Sequence, residues 1–220
     1  MKSILMIGMG KFGHRLCREL CRMGNEVMVA DCDENKLEDL LPFVTSAKIG
    51  ACTKEEVLRS FGIGNFDMCI VCIGTNFQNS LEITSMLKEL GAKYVVSKAN
   101  RDIHAKFLLR NGADEVVYPD RDIAERLAVS LSSTHVFDYI ELTDDFSIYE
   151  ISTAEEWVGK SIKEMNFRVK YHVSILATKE GEQMSLLPSA DYRFRGDEHL
   201  MIIGEQKHIR QLLKEIDFTE

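Results

Sequence analysis

The stretch Ile4-Leu-Met-Ile-Gly-Met-Gly-Lys-Phe-Gly-His-Arg-Leu16 places four apolar residues directly before a Gly-x-Gly-x-x-Gly pattern. The apolar run predicts a buried strand, and a helical pattern follows the glycines. In this context Gly8 permits a tight turn, Gly10 allows close approach of a pyrophosphate, and Gly13 lets the helix pack on the strand. The free N–H groups of the helix N-terminus favour the same anion. The candidate nucleotide-binding residues of the turn are Gly8, Met9, Gly10, Lys11, Phe12 and Gly13.

An acidic side chain completes this pattern at the end of the second predicted strand, Val27-Met-Val-Ala-Asp31. A carboxylate about 20 residues after the glycine turn can accept hydrogen bonds from both ribose hydroxyls. Asp31 would also repel a 2′-phosphate, which favours NAD or an adenosine nucleotide over NADP. Capping of the next helix is the alternative role for Asp31, and Asp33 is the better candidate for that cap.

Strand and helix patterns alternate regularly through residues 1–120. The predicted strands are Ser3–Ile7, Glu26–Asp31, Ser46–Ile49, Met68–Ile73, Tyr94–Ser97 and Glu115–Tyr118. The predicted helices between them are Lys11–Met23, Glu34–Leu41, Lys54–Phe61, Phe77–Leu90 and Asp102–Asn111. Several of the strands are continuous apolar runs, which is typical of a parallel sheet covered on both faces. The pattern predicts an α/β fold with an N-terminal Rossmann-like, doubly wound parallel sheet.

After Pro119 the pattern changes to one helix followed by short strands. The predicted elements are a helix over Asp120–Ser133, strands over Phe137–Leu142, Ser147–Ile151, Val173–Thr178 and His199–Ile203, and a last helix over Gln206–Ile216. Turn residues separate these strands, as in Asp144-Asp145 and Glu180-Gly181. We therefore predict a Rossmann-type nucleotide-binding domain over residues 1–136 and a small α+β regulatory lobe over 137–220.

Loops at the carboxyl ends of the other strands should complete the nucleotide pocket. Gly74 would let the backbone approach the nucleotide, and Lys98 ends the fifth strand, with an ordinary surface lysine as its alternative. Gly50-Ala-Cys-Thr53 follows the third strand and is expected to face the adenine, with a helix cap as the alternative role of Thr53. Asn76 is likewise a candidate for a helix cap. Together with Asp31, the further candidate nucleotide-binding residues are Cys32, Asp33, Ala51, Cys52, Ile73, Gly74, Thr75 and Lys98.

Composition narrows the possible partners and compartment. A formal net charge of -8 argues against nucleic acid, because a polyphosphate backbone needs a basic field. The first apolar run is too short for a signal peptide, and nothing approaches a membrane span, so we expect a cytosolic protein. The six cysteines are expected to be buried or half-buried free thiols. Cys69 and Cys72, three apart on a strand, should point to opposite faces.

The order of motifs resembles the RCK (regulator of K⁺ conductance) family, and most closely the cytosolic gating subunits of Ktr/Trk-type potassium uptake systems. The resemblance covers essentially the whole chain. The motifs that carry it are Ile7-Gly-Met-Gly-Lys-Phe-Gly13, Gly24-Asn-Glu-Val27 leading to Asp31, Asp67-Met-Cys-Ile-Val-Cys-Ile-Gly74, Gly112-Ala-Asp-Glu-Val116, Tyr118-Pro-Asp120 and Gly196-Asp-Glu-His-Leu-Met-Ile-Ile-Gly204.

The resemblance implies a homodimer that assembles into a homo-octameric ring beneath a membrane-embedded potassium channel or transporter subunit. It implies that ATP, ADP or NAD(H) binds in the N-terminal lobe and changes the shape of the ring and hence ion flux. The protein would then be cytoplasmic and peripheral on the inner face of the cell membrane. In some members the C-terminal lobe binds cyclic di-AMP at its dimer interface.

Individual positions carry the resemblance further. Lys11 stands where relatives often carry an Arg that reaches the γ-phosphate in a neighbouring subunit. Asp120 stands where relatives carry a Glu near the nucleotide phosphates and a cation such as Mg²⁺, Ca²⁺ or Na⁺. For cyclic di-AMP, Asn166, Phe167 and Arg168 match the region that lines the site, with Pro188 on a matching loop. Ser174 replaces the Asn expected on the following strand.

An NAD-dependent oxidoreductase is the alternative that the same sheet allows. It would need a substrate domain and a general acid or base near the nicotinamide. The six histidines, at positions 14, 104, 135, 172, 199 and 208, have no visible partner at catalytic spacing. The sequence therefore favours a regulatory protein over an enzyme, and a free-standing nucleotide-binding regulator with another partner stays open.

Overall fold

Six parallel strands form the sheet of the N-terminal unit in the computed structural model, which describes residues 1–217. They are β1 (Ser3–Ile7), β2 (Glu26–Asp31), β3 (Ser46–Ile49), β4 (Met68–Val71), β5 (Val95–Lys98) and β6 (Glu115–Val117). Their order across the sheet is β3-β2-β1-β4-β5-β6. β1 lies at the centre because four of its five residues are buried and it pairs with both β2 and β4. The order reverses direction beside β1, which confirms the Rossmann-like doubly wound sheet.

Helices cover both faces of this sheet. They are α1 (Lys11–Arg22), α2 (Glu55–Ser60), α3 (Phe77–Glu89) and α4 (Asp102–Arg110). Leu5 and Ile7 belong to the core on one face, and Ile4 and Met6 to the core on the other. Cys69 and Cys72 likewise lie in these two different cores, as the strand period requires. All six cysteines are free, but Cys32 is exposed, contrary to the expectation that every thiol is at least half-buried.

The helix predicted over Glu34–Leu41 is wrong. The chain forms two separate 3₁₀ turns there, Glu34–Lys36 and Glu38–Leu40. Leu37 and Leu40 are both buried and stand three residues apart, a spacing that places side chains on one face of a 3₁₀ turn and of an α-helix alike, so the apolar pattern does not distinguish the two. The other predicted helices and strands have counterparts whose ends differ by a residue or two.

The C-terminal unit is a five-stranded antiparallel sheet with helices, which confirms the α+β lobe. Its strands are β7 (Val136–Glu141), β8 (Phe146–Ser152), β9 (Val173–Glu180), β10 (Gln183–Leu186) and β11 (His199–Glu205), in the order β10-β9-β11-β8-β7. Its helices are α5 (Pro119–Leu131), α6 (Ile162–Met165), α7 (Phe167–Tyr171) and α8 (Gln206–Asp217). None of the helices within residues 1–217 has the length and apolar character that crossing a bilayer requires.

Three elements of this unit were not predicted. β10 has no buried residue, so it lacks the alternating pattern that identifies a strand. α6 and α7 are short and are separated by Asn166, which adopts a left-handed conformation with φ 51°.

The two compact units divide between Arg121 and Asp122, whereas the predicted domain boundary lies between 136 and 137. The two boundaries differ because most of α5 belongs to the C-terminal unit, where its Val129 packs against the core.

Trp157 is the largest side chain of that core, and its replacement by alanine tests the core directly. The side chain is fully buried and contacts the ring of Phe167, with centroids 4.9 Å apart. We expect Trp157→Ala to lower the free energy of unfolding by roughly 3–5 kcal/mol, because a large cavity replaces the indole. Urea denaturation followed by circular dichroism measures this. Val158→Ala, at a neighbouring residue that is 45% exposed, is the control and should change little. Equal midpoints for wild type and Trp157→Ala would contradict the packing.

Candidate functional site

A cleft of about 380 Å³ opens at the carboxyl ends of the parallel strands. It lies where the strand order reverses, the position at which doubly wound sheets bind ligands. Its walls come from the loops that follow β1 to β5. The residues that line it are Ile7, Gly8, Gly10, Lys11, Phe12, Asp31, Cys32, Lys36, Gly50, Ala51, Cys52, Thr53, Cys72, Ile73, Gly74, Thr75, Asn79, Ile83, Lys98 and Asn100.

The three glycines of the first turn have different requirements. Gly8 has φ +92°, and a Cβ there would lie 2.7 Å from Cγ1 of Ile73. A Cβ on Gly13 would lie 2.3 Å from the carbonyl oxygen of Gly8, so only glycine allows α1 to approach the turn. Gly10 has ordinary extended backbone angles, and a Cβ there would meet no atom within 4 Å. Neither the backbone conformation of Gly10 nor its packing therefore requires a glycine. The space that a side chain would fill at this residue is open and lies beside the cleft.

The Asp31 carboxylate is tied to the glycine turn by its hydrogen bonds. The amide of Met9 donates to Oδ2 at 2.6 Å, and the amide of Asp33 donates to Oδ1 at 3.0 Å. The ammonium of Lys36 lies 3.5 Å from Oδ1. Cys32 Sγ and Lys36 Nζ also donate to Oδ1, whereas the Met9 amide is the one donor to Oδ2 among the described residues. Since a carboxylate oxygen has two lone pairs, Oδ2 keeps acceptor capacity.

Asp31 is held in its charged form although it is only 7% exposed. Burial disfavours the charged carboxylate and by itself would raise its pKa. The hydrogen bonds from the amides of Asp33 and Met9 and the charge of Lys36 outweigh that effect, so the pKa of Asp31 lies below the ordinary value of 3.8. At neutral pH the cleft therefore contains a fixed negative acceptor at the end of β2.

Besides Lys36, two lysines line the cleft, one beside the glycine turn and one at the end of β5. Lys11 occupies the first position of α1, beside the glycine turn. The Lys98 ammonium lies 5.3 Å from the ring centre of Phe12 and 3.9 Å from Oδ2 of Asp120. Together with the N-terminus of α1, Lys11 and Lys98 make this region suited to phosphate groups.

The loop after β4 has a feature that the sequence did not predict. Gly74 lines the cleft, and its role in letting the backbone approach a nucleotide stays a prediction. In addition, a Cβ on Gly74 would lie 2.6 Å from Oδ1 of Asn100. The Asn100 amide therefore occupies that space, and its Nδ2 donates to the carbonyl of Gly74 at 2.7 Å. Gly74 is a glycine because it makes room for Asn100.

Most of the predicted nucleotide-binding residues meet in the one cleft, and their role there stays a prediction. Met9, Gly13, Asp33 and Asp120 do not line it. Met9 contributes its amide, and Asp33 caps the first 3₁₀ turn by accepting from the amide of Asn35. Asp120 has an exposed side chain outside the cleft wall.

Other residues of the cleft wall were missed as candidates. Lys36 follows Asp31 by five positions and lies in a segment that was misassigned as a continuous helix. Asn79 lies inside the helix predicted over Phe77–Leu90, and Asn100 lies just after the strand predicted over Tyr94–Ser97. Neither belongs to a recognisable binding motif. Thr53, by contrast, was considered: it lines the cleft and is not a cap, because Lys54 occupies the N-cap position of α2. Asn76 does cap α3, by accepting from the amide of Asn79 at 3.0 Å.

The cleft fits an adenine nucleotide in three separate respects. Asp31 can accept from ribose hydroxyls, and the open space at Gly10 admits a pyrophosphate against the N-terminus of α1. The apolar surface of Ile73 and Ile83 lines the same wall and can contact flat or apolar ligand groups. The residues present therefore suit the ligand that the sequence predicted.

The four residues predicted for cyclic di-AMP are only partly suited to contact a ligand. Arg168 is exposed, and Asn166 joins α6 to α7. Phe167, however, is 2% exposed and packs against Trp157, so its ring belongs to the core. Pro188 is half-buried and follows Leu187, which has φ 50°. Cyclic di-AMP binding stays a prediction.

Histidine is not part of the cleft wall in residues 1–217. His14 pairs with Asp39 through Nε2 and Oδ2 at 2.8 Å. His104 is buried with its ring 4.9 Å from that of Phe77, and burial together with the nearby Arg101 lowers the pKa of His104. Neither ring is placed to exchange a proton with a ligand in the cleft.

Comparison with known proteins gives two family matches along the chain. The TrkA-N domain matches residues 4–119, and the TrkA-C domain matches residues 146–217. The Ktr system potassium uptake protein C of Bacillus subtilis (strain 168) is 37% identical over 219 residues, which cover 100% of this chain and 99% of the relative. The Ktr system potassium uptake protein A of the same organism is 38% identical over 214 residues, covering 97% and 96%.

A solved structure shows the same fold. The GsuK channel bound to NAD superimposes with a TM-score of 0.68 at 17% sequence identity, covering 94% of this chain and 38% of that chain. At this identity the match concerns the fold alone.

The charged state of Asp31 predicts a pH-dependent contribution to stability. At neutral pH we expect Asp31→Asn to cost about 1–3 kcal/mol, because one buried amide loses its acceptor. Since folding lowers the pKa of Asp31, this contribution is present above pH 3.8 and is lost as pH falls further through the folded-state pKa. Urea denaturation of both proteins between pH 7 and pH 3 measures the difference.

Glu34→Gln, at an exposed carboxylate close by in the chain, is the matched control for this series. Its difference from wild type should stay small throughout. A deficit in Asp31→Asn that remains constant across the same pH range would contradict the assignment.

Proposed function

The chain belongs to the RCK family, which is built from TrkA-N and TrkA-C domains, and we propose that it is the nucleotide-sensing regulatory subunit of a potassium uptake system. The full-length similarity to Ktr system potassium uptake proteins supports this assignment. In this proposal the cleft binds ATP, ADP or NAD(H), and the bound nucleotide controls potassium flux through a separate membrane subunit. The protein is then cytoplasmic and is held at the inner face of the membrane by that subunit.

The observation that carries nucleotide binding is the pairing of Gly10 with Asp31. Gly10 leaves open space at a helix N-terminus although its own backbone would accept a side chain. Asp31 keeps a buried negative acceptor in the same cleft. A pyrophosphate and a ribose, joined as in an adenine nucleotide, satisfy both features at once.

We infer that the site senses the nucleotide and does not convert it. A sensor needs ligands that bind two conformations with different free energies, and a coupling of about 1–3 kcal/mol is typical. No general base is needed for that. ATP and ADP differ by one phosphate, which would lie near Lys11 and Lys98, where a single additional charge has the largest effect.

We propose that α5 carries the signal from the cleft. Lys98 pairs with Asp120, the second residue of α5, so a phosphate that attracts Lys98 also alters the charge balance at the start of that helix. Asp120 would then be free to contact a cation that accompanies the phosphates. Farther along α5, Val129 packs against the core of the C-terminal unit.

A second copy of the chain would cover apolar surface on the same helix. Ile123, Leu127 and Leu131 are 59%, 52% and 82% exposed. Large apolar side chains at this spacing form one stripe on a helix, and such a stripe is typical of an interface. This supports the homodimer, and the larger ring follows from the resemblance alone.

Glycine replacements separate the binding role from the folding role. We expect Gly10→Ala to keep the wild-type melting temperature and to weaken ADP at least about tenfold, because the added methyl occupies the pyrophosphate space. Gly13→Ala should instead lower stability by roughly 1–3 kcal/mol or more, since its Cβ would overlap the Gly8 carbonyl. Calorimetric titration and thermal unfolding measure the two effects. Wild-type ADP affinity in Gly10→Ala would contradict the assignment.

Potassium flux tests the proposed role itself. Liposomes containing the membrane subunit of a Ktr potassium uptake system are combined with the wild-type chain, and flux is compared with ATP and with ADP. We expect the two nucleotides to give different fluxes, because they differ in charge at the phosphate end of the cleft.

The controls for this assay are two variants. Gly10→Ala should abolish the nucleotide dependence, and Glu34→Gln should preserve it. Flux that is the same with ATP, with ADP and without the chain would defeat the proposal.

A further inference from the structure

The exposed side of α1 carries a row of positive charge. Basic residues stand there at intervals of four, three and four positions, and all of them are exposed: Lys11, Arg15, Arg18 and Arg22. At 3.6 residues per turn, these intervals keep the side chains within about 60° of one another around the helix axis and along about 17 Å of its length. These four residues are the basic row.

The positive charge of the basic row exceeds the negative charge that α1 sets beside it. Glu19 is the one acidic residue of α1, and it is shared by Arg15 at 3.6 Å and Arg22 at 2.9 Å. With four basic residues against one acidic residue, α1 has a surplus of three positive charges, whereas the whole chain has a net charge of -8. A local surplus opposite in sign to the chain attracts an acidic partner to this helix.

An exposed aromatic ring borders the basic row. The guanidinium carbon of Arg18 lies 4.7 Å from the ring centre of Phe43. Phe43 nevertheless stays 50% exposed, and Leu41, two positions earlier in the chain, is 56% exposed. Arginine and aromatic side chains are enriched where proteins bind one another, while lysine and glutamate are depleted. This surface therefore offers both positive charge and apolar area to a partner.

The carboxylates around the basic row distinguish a protein segment from a lipid surface. Glu19 lies on the same helix, and Asp39, which pairs with His14 of α1 at 2.8 Å, has a side chain that is 63% exposed. A broad anionic bilayer would press its charge against these carboxylates, and like charges brought together are costly. A narrow acidic segment can lie along the basic row and leave the flanking carboxylates in water.

We propose that the basic row and Phe43 form a docking surface for an acidic, amphipathic segment of a partner protein. Carboxylates of that segment pair with Arg15, Arg18 and Arg22, and an apolar side chain next to them contacts the ring of Phe43. The inference rests on the proposed function, which requires a separate membrane subunit, and adds the surface and the kind of segment through which such a subunit would bind.

The test uses a triple variant of the full chain, Arg15→Gln, Arg18→Gln and Arg22→Gln, called the row variant. Glutamine keeps a helix propensity close to that of arginine, and exposed ion pairs contribute little to stability, so we expect the melting temperature to stay near that of wild type. Lys11 is left unchanged because it also lines the nucleotide cleft.

The matched control removes the same number of charges from exposed residues elsewhere in the N-terminal unit: Lys54→Gln, Arg59→Gln and Lys93→Gln. A further variant, Phe43→Ala, removes the ring and keeps every charge.

Binding is measured by surface plasmon resonance to the membrane subunit of a Ktr potassium uptake system, held in nanodiscs of neutral phosphatidylcholine. We expect the row variant to bind at least about tenfold more weakly than wild type and the control to bind as wild type does. Raising the salt concentration from about 50 to 300 mM should weaken wild type and hardly affect the row variant. Phe43→Ala should bind about threefold more weakly and keep the salt dependence.

A poly-L-glutamate peptide is the second probe and separates this inference from the proposed function. If wild type ignores the membrane subunit but binds the peptide more tightly than the row variant does, the proposed function fails and the docking surface stands. The inference is overturned if the row variant binds the membrane subunit as tightly as wild type, or if wild type binds neither probe. Equally tight binding of wild type to empty phosphatidylglycerol nanodiscs would also overturn it and assign the basic row to lipid.

Discussion

The hydrogen bond from the Met9 amide to the Asp31 carboxylate joins the glycine turn to the end of β2. It fixes the distance between the two features that an adenine nucleotide must contact together, its pyrophosphate and its ribose. It also helps keep Asp31 charged in a buried position, since an amide donor stabilises the carboxylate that burial alone would neutralise. Asp31 lines a cleft whose other walls are formed at the ends of four further strands.

Where one short stretch of sequence determines the structure, the sequence predicted it well. β1 was identified because a continuous apolar run in a covered parallel sheet must be buried on both faces. Gly13 was assigned to helix packing, and the Gly8 carbonyl indeed leaves no space for a Cβ there. The contact between Asp31 and the glycine turn was likewise predictable. β1 and β2 are neighbours in the sheet, so the end of β2 lies beside the turn that follows β1.

The features that were missed depend on contacts between distant residues or on weak local patterns. Asn100 was missed because its place in the cleft wall depends on a contact with Gly74, 26 residues away in the chain, which no sequence pattern predicts. The segment after Asp33 forms two 3₁₀ turns, and its two buried leucines, Leu37 and Leu40, are too few for periodicity to distinguish such turns from an α-helix. Within residues 1–217, β10 pairs with β9 alone and all four of its residues are exposed, so its sequence carries no alternating strand pattern.

An adenine nucleotide that lies against Asp31 would also cover the neighbouring thiol of Cys32. The reactivity of this thiol therefore reports whether the nucleotide is bound there. Cys32 is exposed, lines the cleft, and its Sγ lies 3.6 Å from Oδ1 of Asp31. The most direct measurement is the rate of Cys32 alkylation by iodoacetamide, followed by peptide mass spectrometry with and without saturating ADP. We expect ADP to slow the reaction at Cys32 at least about tenfold and to leave the half-buried Cys21 on α1 unaffected. Equal alkylation rates at Cys32 with and without bound ADP would contradict it.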